Sequence, residues 1–306
     1  MAWLIRAMLV LVLFVGPASQ GQATQAPADF TSAMTEVLAT NPGQAGQLAE
    51  AELRRINAIE SDRRSGGVAA AHWVLAQAKF RTGDVEGAKQ QIRLTAEFTP
   101  TGSAGTRLKA QTALLRGLIA RSEGNFSSAL QSYRSAHAGF ISSRDARGQG
   151  LALQALGTLY VDVGDSSNGI QYLRFAEDAF TGDDLFNLSL ENNYGAAYQG
   201  MERYADSEQH FVAALQIAER LNLRAYAIQI RLNLAMSAIF QNHLTAASSA
   251  LAGLGPFKDL SETQQRELYR LRALMNLKAG HLIEAERLIE LALEGADPQD
   301  SPFEFR

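Results

Sequence analysis

"LGTLYVDVGD", residues 156–165, joins a Leu-Gly pair to Tyr160, three residues past the glycine, and then to a Gly-Asp corner at Gly164 and Asp165. Those letters suit either a catalytic loop or the end of a packed helix. The rest of the chain separates the two readings, because the stretch returns at 193–204 as "NYGAAYQGMERY", with Tyr194, Gly195 and Tyr198 in the places of Leu156, Gly157 and Tyr160. Weaker copies place a small residue at Ala76, Gly117, Ala235 and Ala273, so the series 76, 117, 157, 195, 235 and 273 advances by 38 to 41 residues each time. Self-similarity at a fixed period is the mark of a repeat architecture.

Each copy carries further landmarks. Twelve residues after the small position stand Ala88, Ala129, Gly169, Ser207, Ala247 and Ala285, and four residues later Ile92, Tyr133, Leu173, Phe211, Leu251 and Ile289. Spacings of three and four put such residues on one helix face. Small residues let two helix backbones approach, and large ones fill the grooves beside them. Between the two helices lie Gly83-Asp84, Gly124-Asn125, Gly164-Asp165 and Gly280-His281. Glycine takes the left-handed conformation that ends a helix, and Asp or Asn caps the next one. His243 and His281 occupy equivalent corners and are expected to cap as well. The opening stretch therefore reads as packing residues followed by a corner.

A helix, a Gly-rich corner and a second helix with this pattern resemble the tetratricopeptide repeat, whose signature is W-x2-L-G-x2-Y, then A-x3-F, then P. The resemblance covers six units over residues 69–299, with Pro100 closing the first and Arg116 and Arg272 departing from the usual leucine. It implies an all-α fold, a right-handed superhelical solenoid of antiparallel helix pairs, of a long-period type found in bacterial regulators and adaptors. Residues 24–68 form an N-terminal helical cap in this scheme, with Pro42-Gly43 as a break, and 300–306 a tail.

Composition agrees. Only 8% of the 306 residues are aromatic and seven are proline, which fits small-residue helix packing better than a β-sandwich. The net charge of −4 provides no broad positive field for phosphates, so nucleic acid is not expected as a partner. Arg54, Arg55, Arg63 and Arg64 alternate with Glu50, Glu52, Glu60 and Asp62 and read as a solvated helix face.

"MAWLIRAMLVLVLFVGPASQGQA" sets Arg6 before an apolar run from Ala7 to Val15, then Gly16-Pro17 and small residues to Ala23. This is the layout of a secretory signal peptide over residues 1–23, and the run is too short for a bilayer span of about 20 residues. Export across an inner membrane to the periplasm, without stable membrane insertion, is the expectation. With no cysteine, the exported chain would rest on packing alone.

In a repeat array the ligand stripe is the other face of each first helix. Here it carries amides and small polar residues: Gln154, Thr158, Asp162, Asn192, Asn193, Gln199 and Asn233. Asparagine both donates and accepts, so a row of them can pair with an extended peptide backbone whatever its side chains. The resemblance implies the same role for the asparagine two residues before the small position, matched here by Asn193 and Asn233. Facing water or holding neighbouring groups is the competing reading. Arg81, Arg116, Arg121, Arg231 and Lys278 are candidate carboxylate anchors. Trp73, Leu118, Leu232, Met236, Ile239 and Phe240 are either pocket walls or core.

Signals of catalysis are weak. The five histidines at 72, 137, 210, 243 and 281 are scattered and there is no H-E-x-x-H, so neither a metal nor another cofactor is called for. Asp183-Asp184 reads as a helix start. "NFS" at Asn125 and "NLS" at Asn187 are discounted as acceptor sites because both fall in or near helices. The sequence thus points to a non-enzymatic protein that binds a protein or peptide partner, with a structural member of an envelope assembly as the alternative. In that alternative the contacts fall to the ends, including Phe303 and Phe305 beside Pro302, which could equally fold back as a cap.

Overall fold

The computed structural model describes residues 28–58, 64–180 and 183–294. The signal-peptide segment 1–23 and the tail with Phe303 and Phe305 lie outside them. The described residues form α-helices and one short 3-10 turn, with no strand, and fall into two compact units that divide between Asn193 and Tyr194.

The first unit holds α1 (Ala28–Thr40), α2 (Pro42–Asn57), α3 (Arg64–Arg81), α4 (Val85–Phe98), α5 (Gly102–Ser122), α6 (Phe126–Ser142), α7 (Ala146–Asp162), α8 (Ser166–Ala179) and most of α9 (Asp184–Gly200). The second holds the end of α9 with α10 (Tyr204–Arg220), α11 (Arg224–Phe240), α12 (Leu244–Ala252), the 3-10 turn Phe257–Asp259, α13 (Glu262–Lys278) and α14 (Leu282–Leu293). Within each unit, consecutive helices pack pairwise as antiparallel hairpins.

The corners explain the pairing. Gly83, Gly124, Gly164 and Gly280 have φ between 74° and 89°, and Glu202 and Asn242 take the same left-handed conformation at 59° and 62°. Each of these six lies seven positions past the small residue of its copy. Asp84, Asn125 and Asp165 then cap the second helices, accepting from Gly87, Ser128 and Asn168 backbone N–H groups. His243 and His281 do not cap α12 and α14 through their side chains. A left-handed residue already turns the chain before each, and His281 Nδ1 instead lies 3.4 Å from Asn276 Oδ1.

Packing follows the landmark residues. A Cβ added at Gly117 would fall 2.3 Å from the Tyr133 ring, and one at Gly195 would fall 2.6 Å from Phe211. Both rings are fully buried. Ile92, Leu173 and Leu251 are buried likewise, but Ile289 is 40% exposed while Leu288, one position earlier, takes its inward place. Ala285 and Ala292 of the same helix keep their places and are buried, so the sixth copy differs at this one position. Asp183 accepts from Phe186 N–H at 2.9 Å, so Asp183-Asp184 is a helix start.

Candidate functional site

The first helices α7, α9 and α11 are buried on nearly every side. Every residue from Leu151 to Leu159 of α7 is buried, and so are Asn192 to Ala197 of α9. This places the predicted stripe inside the protein: Gln154, Thr158, Asn192, Asn193, Gln199 and Asn233 are all at most 9% exposed.

Many of their polar atoms are engaged by neighbouring helices or by their own, while Asn193 Oδ1 is buried with no hydrogen-bond partner among the described residues. In the first unit Ser189 Oγ donates to Gln154 Oε1 at 2.7 Å, Gln154 Nε2 donates to Phe186 O at 3.3 Å, and Asn193 Nδ2 approaches Gln154 Oε1 at 3.5 Å. Thr158 Oγ1 donates to Ala155 O within its own helix. In the second unit Gln199 Nε2 donates to Ser237 Oγ at 3.0 Å and lies 3.4 Å from Asn233 O. Ser237 Oγ is in turn 3.0 Å from Ser207 Oγ, and Gln229 Nε2 donates to Asn233 Oδ1 at 3.3 Å. Buried amides without partners would cost about 1–3 kcal/mol apiece, so these bonds specify how successive first helices sit against each other.

Asp162 follows the same logic with charge. Arg121, at the end of α5, holds it through Nε and Nη2, and the two side chains are 12% and 9% exposed. Burial alone would depress the Arg121 guanidinium, but the hydrogen bonds and charge of Asp162 outweigh it and hold the group above its ordinary value. Of the other candidate anchors, Arg231 pairs with Glu219 at 2.5 Å, while Arg116 and Lys278 are exposed. Leu118, Leu232, Met236 and Ile239 are core.

Trp73 is core as well, at 1% exposure, and lies beside a small crevice in the first unit. The crevice, with room for little more than a water molecule and partly open to solvent, lies between α1, α3, α5, α6 and α7. Three successive first helices contribute Trp73, Gln111 and Leu151, α6 adds Phe140, and α1 supplies Thr31, Ser32 and Thr35. Its charged rim consists of Arg107, Asp145 and Arg147. Arg107 pairs with Asp145 at 2.7 Å, and Asp145 also caps α7 by accepting from Gly148 N–H. Arg147 donates to Asp183 at 2.5 Å and lies over the Phe180 ring at 5.9 Å. Burial pulls the Arg147 guanidinium below its ordinary value, with Asp183 working against that.

The crevice is bordered by the buried side chains of Trp73, Phe140 and Leu151, by hydroxyls of α1 and by two guanidiniums already matched by carboxylates. The two arginines went unnoticed in the sequence, although Arg107 and Arg147 are 40 residues apart and each stands 17 positions before a corner glycine. The shared register was the available signal.

No protein-family model matches the chain, and no curated protein does. Solved structures do. The apo form of RapI superposes with a TM-score of 0.60 at 10% identity, covering 88% of this chain and 96% of that one. A Rap protein complexed with competence and sporulation factor gives 0.61 at 13% identity, over 88% and 86%. Aspartyl phosphate phosphatase F from Bacillus subtilis gives 0.52 at 13% identity, over 91% and 76%. At these identities the likeness is one of fold: an all-α array of tetratricopeptide-like helix pairs.

Proposed function

We propose that this chain is an exported, non-enzymatic interaction protein that takes an extended peptide segment of a partner, anchored in the cleft between α1, α3, α5 and α7. The observation that carries the reading is the array of tetratricopeptide-like helix pairs, in which Trp73, Gln111 and Leu151 of three consecutive first helices border one crevice at the surface of the first unit. An extended segment gains from such a repeat because each first helix adds one contact at regular intervals. A structural neighbour whose complex contains competence and sporulation factor supports binding as a use of this fold. Export to the periplasm rests on the signal-peptide layout of residues 1–23.

In this reading Gln154, Thr158, Asp162, Asn192 and Asn193 form the frame behind the binding surface of the first unit, and Gln199 and Asn233 play the same framing part within the second. They fix the spacing of the first helices, and Gln154 stands one turn beyond Leu151 at the cleft floor. Gln154 and Gln199 are held by other helices and Thr158 by its own, which is the arrangement of a rigid frame and not of an acid-base pair poised toward a substrate.

Site-specific photo-crosslinking in cells tests it. A photoreactive residue at Ser32 or Gln111 should give a discrete adduct with a partner protein, while the same residue at exposed Glu86 on α4 should not. Adducts of equal yield from all three positions, or none from the cleft, would remove the cleft as the binding site.

A further inference from the structure

The crevice beside Trp73 has room for little more than a water molecule, so in this form it admits no side chain of a partner. One of its walls is unlike the others. α3, α5 and α7 are successive first helices of the repeat and α6 lies between two of them in sequence, whereas α1 precedes the six copies and contributes Thr31, Ser32 and Thr35. Packed helices run about 8–10 Å apart, so a helix stacked on α3 as one more layer would not reach α7. Yet Thr31, Ser32 and Thr35 border the same small space as Arg147, Gly148 and Leu151 of α7. α1 therefore leans across the faces of α3, α5 and α7 that carry Trp73, Gln111 and Leu151, which is the surface a bound segment would use.

α1 is held there by little. Its buried side chains are Thr31, Thr35 and Leu38, spaced four and three residues apart on one stripe, so only one large aliphatic group is fully inward. Phe30, Met34 and Val37 are half-buried and Glu36 faces solvent. α3, by comparison, buries Val68, Trp73, Val74 and Leu75 beside its alanines. Thr35 Oγ1 donates to Thr31 O at 3.0 Å within α1, a bond that travels with the helix.

The connection to the rest of the unit suits a pivot. A single residue, Asn41, joins α1 to α2, at φ −147° and ψ 79°, outside the helical region. Its side chain accepts from Gln44 N–H at 3.0 Å and caps α2. That cap lies on the α2 side of the joint, so a change of angle at Asn41 moves α1 and leaves α2 closed. Few buried apolar contacts and a single-residue joint are the marks of an element that opens by itself, ahead of global unfolding.

We infer that α1 is a built-in cover of the Trp73, Gln111 and Leu151 surface, which swings aside about Asn41 and is displaced when a partner segment binds, an assignment that rests on this surface being the binding site. The covered form lowers the apparent affinity for the partner by the fraction of molecules that stand open. Weakening the hold of α1 therefore strengthens binding, where weakening an ordinary structural helix would impair it.

Hydrogen exchange on the full chain, beside Leu38→Ala, is read together with the photo-crosslink at Gln111. In the parent, α1 amides should exchange roughly tenfold or more faster than those of α3, α5 and α7. Leu38→Ala should speed α1 by about tenfold again, because it removes the one large group that α1 buries. The exchange of α3, α5 and α7 should stay unchanged, and the Gln111 adduct should rise several-fold. Exchange of α1 in step with α3, α5 and α7 in the parent overturns the inference whatever the adducts do. A Gln111 adduct that Leu38→Ala leaves unchanged or lowers also overturns it, while the binding reading stands. Absence of the adduct from both chains, with α1 exchanging ahead of its neighbours, removes the binding reading and the cover with it.

Discussion

Ser189 Oγ, on α9, donates to Gln154 Oε1, on α7, at 2.7 Å across the contact between two first helices. Both residues are fully buried. A residue type that suggested an open peptide-binding row therefore sits as a bolt between consecutive repeats. Gln154→Ala should lower stability by about 1–3 kcal/mol, since it removes the acceptor shared by Ser189 and Asn193 and strands polar groups in the interior. Urea unfolding measures it, and a midpoint unchanged from the parent would show that the interior tolerates the loss.

Arg121 and Asp162 should matter more. Asp162→Asn keeps the size of the side chain but leaves a buried guanidinium without its counter-charge, which costs about 3–5 kcal/mol when one partner of a buried pair is removed. The thermal midpoint of the variant should fall by many degrees. A double change of Arg121→Met with Asp162→Leu should recover part of that loss, because no charge is then left in the interior.

Glu202 supplies a test in the opposite direction. It is exposed and holds φ at 59° in a corner where four of the other five copies use glycine. A left-handed conformation costs a non-glycine residue about 1 kcal/mol. Glu202→Gly should therefore stabilise the second unit by roughly that amount, less a fraction for the greater freedom of glycine in the unfolded chain. The mirror change Gly164→Glu should be destabilising, and calorimetry of the two variants checks both signs.

Glu267 makes the pH dependence specific. It is 8% exposed, and burial raises its carboxyl above the ordinary value of 4.5, against the opposing effect of Arg270. Because its folded value exceeds the unfolded one, the folded state holds the proton longer. The contribution of Glu267 is then most favourable below pH 4.5 and declines as pH rises through its folded value. Glu267→Gln should consequently be more stable than the parent at neutral pH, with the difference closing below about pH 4.5. Denaturant titrations at several pH values would show the crossover, and a variant less stable at neutral pH would mean that the Arg270 pairing dominates.

The sequence by itself determined the helix pairs, because their determinants are local. Six small residues, the four glycine corners seven positions after four of them and the Asp or Asn that follows three of those corners depend on helix geometry and capping, which short stretches encode. It also marked Gln154, Asn193, Gln199 and Asn233 as unusual polar residues on the first helices. What they face depends on how far one repeat rotates over the next, a quantity set by contacts between residues 34 to 40 apart such as Gln199 with Asn233 and Gln154 with Asn193. The cleft was hidden for the same reason, since Trp73, Arg107, Gln111 and Leu151 come together only when three helices stack. The burial of Leu288 in place of Ile289 was equally unreadable. Both are aliphatic neighbours on α14, and only packing against other helices decides which of the two is buried.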